Sequence, residues 1–121
     1  MVFTSPLKKA LAALKRSLDQ PKNEFTRNST IQCFEFSYEL AWKSLKRYLS
    51  ENHGVDESNI KNIYRLAAKN GLIDPVENWF EYHKSRNLTS HTYNEETAEI
   101  VYIQAAAFYP DAIKLLAKLE A

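Results

Sequence analysis

Leu7, Leu11, Leu14 and Leu18 recur at steps of three and four residues, with Lys8, Lys9, Lys15 and Arg16 between them. That spacing lines the leucines along one side of a helix and the charges along the other. Ser5-Pro6 reads as an N-cap followed by proline at the first helical position, and the pattern ends near Gln20-Pro21. A second, longer helix is expected from Glu24 or Thr26 to Asn52. Ile31, Phe34, Tyr38, Ala41, Leu45 and Tyr48 form its stripe, and Phe36, Leu40, Trp42 and Leu49 widen it. An apolar arc that wide belongs to a helix packed against several neighbours. His53-Gly54 marks its end.

Asp56 or Ser58 is placed to cap a short third helix carrying Ile60, Ile63, Tyr64 and Ala67. Asn70-Gly71 closes it, and Leu72 follows where a C-cap usually makes a hydrophobic contact. Asp74-Pro75-Val76-Glu77 then offers an N-cap, a first-position proline and a capping-box glutamate to a fourth helix with Trp79, Phe80 and Tyr82 on its apolar side. The stretch from Arg86 to Asn94 is rich in capping residues and should bend or break the helix. Asn94-Glu95-Glu96 opens a fifth helix with acids in its first turn. Ile100, Val101, Ile103, Ala107 and Phe108 lead to Pro110, expected to kink or restart it, and Leu115, Leu116 and Leu119 finish it. The reading is all-α: a four-helix up-and-down bundle with one additional short helix, a single domain over residues 1–121.

Composition narrows the chemistry. Two glycines and four prolines in 121 residues are too few turn residues for a sandwich or barrel. Two glycines also cannot build a phosphate-cradling loop. The single cysteine, Cys33, makes neither an intrachain disulfide nor a thiolate metal cage, and it fits a reducing compartment. Sixteen basic against fifteen acidic residues give a net charge of +1, so any nucleic acid must be recognised at a small local site. The N-terminus lacks a signal-peptide core, and no stretch approaches the ~20 apolar residues of a membrane span. The expected address is the cytoplasm.

Chemistry concentrates between His83 and Asn94. On helical spacing His83, Arg86, Asn87, Ser90, His91 and Asn94 fall on or beside one face, free of carboxylates until Glu95. A solubilising face mixes lysine with glutamate. This one gathers hydrogen-bond donors and a titratable acid/base, which suits a phosphate ester. The bland alternative is a set of capping residues at a helix junction, with Arg86 paired to Glu95 or Glu96. Elsewhere Glu35 and Glu39 read as a solvated face with an i,i+4 pair from Glu39 to Lys43. His83 and His91 lack a third ligand, so no metal site is expected. Cys33, in an apolar run, reads as core.

Arg86-Asn87, His91 and Tyr93 resemble the Arg-polar-x-x-x-His motif of the HEPN superfamily. The segments from Phe34 to Lys43 and from Trp79 to Tyr93 resemble its branch of nucleotidyltransferase substrate-binding proteins and HepT-like toxins, and the similarity covers most of the chain. The resemblance implies a dimeric four-helix bundle acting with a separate minimal nucleotidyltransferase. It implies either a metal-independent ribonuclease of a toxin-antitoxin pair or a non-catalytic subunit presenting substrate to that nucleotidyltransferase, without a cofactor. It assigns Arg86 and His91 as the catalytic pair, and Asn87 as the polar position beside them. Tyr93 matches a tyrosine that accepts AMP from the partner. His83 and Ser90 would then bind or orient substrate. RNA supplies its own nucleophile, the 2′-OH, so one cation and proton-transfer groups suffice; a two-fold axis would bring a second histidine. A helical adaptor with an accidental motif is the third reading.

Overall fold

The structure, a computed structural model, describes residues 2–121. Five α-helices follow one another: α1 (Ser5–Leu18), α2 (Glu24–His53), α3 (Ile60–Lys69), α4 (Val76–Asn87) and α5 (Glu95–Glu120). Short 3₁₀ turns precede α1 and occupy Thr89–His91 between α4 and α5. No strand occurs among the described residues. Long helices α2 and α5 pack on each other, on α1 and on α4, while α3 bridges α2 and α4. The start of α2 meets the start of α5 through Arg27 and Glu95. The first half of α4 meets the second half of α5 through Asn78 and Asp111. The main helices therefore alternate in direction, with α3 inserted in the connection from α2 to α4.

Local chemistry explains most boundaries and moves some. Asn23 Oδ1 accepts from the amides of Phe25 and Thr26, and the Thr26 hydroxyl accepts from Asn23 N, a reciprocal capping box. Gly54 ends α2 with φ of 63°, a left-handed cap suited to glycine. After α3 the amide of Leu72 reaches Ala67 O at 2.9 Å and that of Gly71 reaches Ala68 O at 3.1 Å. This is a Schellman closure, with Gly71 at φ 74° and Leu72 buried against the core.

The sequence misplaces three caps. Ser5 is already helical and the cap position belongs to Thr4, whose buried side chain reaches Glu120 instead of an amide. Asn59, not Asp56 or Ser58, caps α3, because Glu57 takes the amides of Ser58 and Asn59. Pro75 is itself the N-cap of α4, with extended backbone at φ −82° and ψ 151°. It has no side-chain acceptor to offer, and Asp74 lies one residue too early.

The core is a cluster of rings. Phe108 on α5 meets Phe34, Trp79 and Tyr82 edge to face, with centroids 5.3 to 5.7 Å apart. Pro110 does not restart α5, which runs on to Glu120. The Tyr82 hydroxyl, donating to Ala107 O and the Asp111 carboxylate, binds α4 to the turn around that proline. By length and composition α5 is apolar enough to cross a bilayer, against the expectation above. Here Val101, Ala105, Phe108, Ala112 and Leu115 are buried in the core. Not every apolar residue goes inward: Phe36 is 57% exposed and Ile103 61%. Each lies two residues from a buried one, Phe34 or Val101, and a two-residue step turns a helical side chain to the opposite side.

Candidate functional site

Helix α4 presents the end of its course to α2. Arg86 Nε donates to Glu39 Oε1 at 3.1 Å, and Nη2 lies 3.6 Å from Glu35 Oε1. Nη1 donates to Thr89 Oγ1 at 3.2 Å, and that hydroxyl donates back to Arg86 O at 2.8 Å. Glu39 is oriented in turn by Trp42, whose indole N–H donates to Oε2 at 3.1 Å. The face expected to be free of carboxylates therefore carries two, delivered from α2. Neither bland pairing holds: Arg86 bonds to Glu39 rather than Glu95 or Glu96, and Glu39 serves Arg86 rather than Lys43. Two glutamates one turn apart, flanking a buried stripe on a helix that faces α4, were the available signal. The Arg86 side chain remains 29% exposed, with Nη2 its least engaged corner.

One turn earlier on α4, His83 is half-buried against Tyr38. Its Nδ1 is 2.9 Å from the Tyr38 hydroxyl, which accepts from the buried Tyr64 hydroxyl. Burial pushes both phenols up from their ordinary range. Desolvation is also the main influence pulling His83 down, reinforced by Lys61 and Arg86 and opposed by Glu39.

The helical face continues only to Asn87. Backbone bonds from Leu88 N to Ser85 O, His91 N to Leu88 O and Asn94 N to His91 O wind the chain through its 3₁₀ turn. Asn94 Oδ1 then caps α5 by accepting from Thr97 N. The expected single face is thus divided: His83, Arg86 and Asn87 lie on α4, Ser90 and His91 on the turn, and Asn94 on the cap. His91 is exposed, and its ring meets Tyr93 edge-on with centroids 6.1 Å apart. Tyr93 is 85% exposed. Asn87 and Ser90 are exposed as well.

The turn is anchored from below by a residue the hydrophobic pattern does not mark. Arg27, buried on α2, holds Glu95 through two hydrogen bonds and reaches Glu99 at 3.2 Å, while Lys22 also pairs with Glu99. A cavity of about 360 Å³ opens beside these groups. A larger one of about 600 Å³ lies near Trp79, Asp74 and Lys114. Neither is lined by Arg86 or His91, which form an open surface. No group of three or more His, Cys, Asp or Glu among the described residues could hold a metal ion.

Comparison with known proteins places this arrangement. Residues 4–121 match the family described as nucleotidyltransferase substrate binding protein like. A Haemophilus influenzae protein named probable ribonuclease HepT is 40% identical over 93 residues, covering 74% of this chain and 64% of its own length. A Thermus thermophilus protein of known structure superposes with a TM-score of 0.89 at 30% identity, over 95% of this chain and 99% of that one. A second solved structure, from Haemophilus influenzae, gives 0.86 at 33% identity over 95% and 97% of the two chains. It is described as revealing the fold of a substrate binding domain of a nucleotidyltransferase.

Proposed function

The chain belongs to the nucleotidyltransferase substrate-binding-like family, and we propose that it is a HepT-like ribonuclease paired with a separate minimal nucleotidyltransferase. The observation that carries this reading is Arg86, held by Glu39 and Thr89 directly before a turn that exposes His91. In cleavage the RNA 2′-oxygen attacks the adjacent phosphorus, the 5′-oxygen leaves, and a 2′,3′-cyclic phosphate remains. His91 moves one of the two protons involved, from the 2′-hydroxyl or onto the 5′-oxygen. Arg86 stabilises charge on the phosphorane through its guanidinium edge. Asn87, Ser90 and His83 orient the strand. The reaction asks the protein for no metal.

A second copy of the chain would supply the second proton-transfer group. Exposed Phe36 and Tyr93 border the site and provide apolar surface for such a homodimer. The partner nucleotidyltransferase would transfer AMP to Tyr93, whose exposure leaves its hydroxyl within reach of another protein. A toxin-antitoxin pair acting on cytoplasmic RNA fits these roles.

The second reading is a non-catalytic subunit that presents substrate to the nucleotidyltransferase. The two carboxylates beside Arg86 favour it, because they weaken an arginine's hold on an incoming phosphate. Incubation of the purified protein with RNA in a chelator separates the two. Cyclic-phosphate ends that disappear in His91→Ala support the ribonuclease. Intact RNA, together with a stable complex with the nucleotidyltransferase, supports presentation.

A further inference from the structure

His83 occupies an unusual position for a histidine beside an arginine site. Its inner nitrogen is committed to a buried hydroxyl chain, and its outer nitrogen is not. Tyr64 donates to Tyr38, so the Tyr38 proton points onward to His83 Nδ1. Nδ1 is then the acceptor, and the ring proton resides on Nε2. Nε2 has no partner among the described residues and reaches solvent. Protonating the ring would place a hydrogen on Nδ1 facing the Tyr38 hydroxyl, whose own hydrogen would then have nowhere to go in the core. The charged groups around the ring are Lys61 from α3, Arg86 from α4 and Glu39 from α2. Two cations against one carboxylate also oppose a further charge there.

We propose that Tyr38, backed by Tyr64, is a positioning residue that fixes His83 as an Nε2–H donor to an oxygen of the RNA strand beside Arg86. This rests on the reading of the Arg86–His91 surface as an RNA site, and it separates the two histidines by task. His91, exposed on its turn, is free to exchange a proton. His83, wired to the core, offers a directed hydrogen bond without a charge. Such a donor holds an oxygen at a set angle, and its orientation comes from residues that never touch the strand. Tyr38 and Tyr64 lie on α2 and α3, so all three helices converge on this one imidazole.

Nitrogen-15 NMR of the histidine rings reads the tautomer directly. The parent should show His83 with its proton on Nε2 and a titration below that of free histidine. Tyr38→Phe should give mixed tautomers and move the titration upward. Affinity for a non-cleavable 2′-O-methyl oligoribonucleotide should fall roughly three- to tenfold in Tyr38→Phe, the weight of one hydrogen bond, and by a similar factor in His83→Ala. The losses should not add in the double variant. If Tyr38→Phe does not fold, His83→Gln and His83→Asn decide the matter. Glutamine carries an N–H near the place of Nε2 and should restore binding; asparagine falls short and should not. A parent His83 with its proton on Nδ1 overturns the proposal. So do unaltered binding and cleavage in His83→Ala when His91→Ala abolishes cleavage, and in that outcome the ribonuclease reading stands. Binding that depends on His83 without cleavage removes the ribonuclease and keeps the positioning device. A parent that binds no RNA removes both.

Discussion

Arg27, near the start of α2, grips the carboxylate of Glu95, in the first turn of α5, with parallel hydrogen bonds of 2.7 and 2.9 Å. Glu95 follows Tyr93 by two residues, so this fork fixes the exit of the turn that carries His91. The Arg27 guanidinium holds Glu95 below the usual carboxylate range, and Lys22 together with Arg27 does the same for Glu99. A depressed carboxylate contributes stability above its unfolded value and loses it as pH falls through the folded one. Arg27→Met should therefore melt several degrees below the parent at neutral pH. The difference should shrink on acidification below about pH 4. Melting curves across pH measure it; a constant difference would contradict the pairing.

Glu35 and Glu39 carry the same charge and should have opposite effects on RNA. Glu39 is anchored by Trp42 and bonds Arg86 Nε, whereas Glu35 is only a 3.6 Å neighbour of Nη2. Glu35→Gln removes a repulsion and should tighten RNA binding roughly two- to fivefold. In Glu39→Gln one amide oxygen must face two donors, Arg86 Nε and Trp42 Nε1, that two carboxylate oxygens now serve separately. Arg86 loosens, and cleavage should fall about tenfold despite the same change in charge. Equal shifts in both variants would reduce the pair to simple electrostatics.

The helices could be read from spacing because burial of one face repeats with the helical period. Leu7, Leu11 and Leu14 in α1, and Phe34, Tyr38, Ala41 and Leu45 in α2, are all buried. Caps were less readable, since several polar residues compete for each end; Glu57 and Pro75 displaced the expected ones. The candidate site was readable only along the chain. Spacing puts Arg86 beside His83 on one helix, but it carries no information on what α2 and α3 bring up to them. Glu39, Tyr38 and Tyr64 arrive through tertiary packing, and so the electrostatics of the site differ from those of its own helix. Arg27 resists reading for the same reason: a buried arginine is explained by Glu95 and Glu99, 68 and 72 residues away.

Replacing His91 with alanine should remove cleavage while leaving the melting temperature unchanged. The ring is exposed on a 3₁₀ turn, and its aromatic neighbour is the equally exposed Tyr93. Loss of a proton-transfer group costs on the order of a hundred- to ten-thousandfold. Arg86→Lys should be impaired through a different route. An ammonium cannot serve Glu39, Thr89 and a phosphate in the planar arrangement that Arg86 uses. Its defect should appear with a lowered melting temperature, because the side chain also joins α4 to α2. Parent-like cleavage by His91→Ala would place the chemistry elsewhere.

Tyr93 offers the clearest separation of activity from control. Its hydroxyl has no partner among the described residues, and the ring stands almost free of the bundle beside His91. Removing that hydroxyl should cost no stability and no cleavage, so Tyr93→Phe should match the parent in both. The expected single helical face from His83 to Asn94 does not exist, because α4 ends at Asn87. An AMP attached to Tyr93 would then silence cleavage through His91, the ring's neighbour, by crowding the imidazole and placing an anion where an RNA phosphate would approach. The bundle itself should be undisturbed. With the nucleotidyltransferase and ATP, the parent should gain the mass of AMP and lose cleavage together, while Tyr93→Phe gains no mass and stays active. A mass gain retained in Tyr93→Phe would move the modification to another residue. Modification of Tyr93 with cleavage intact would show that the space beside His91 is not the path of the RNA.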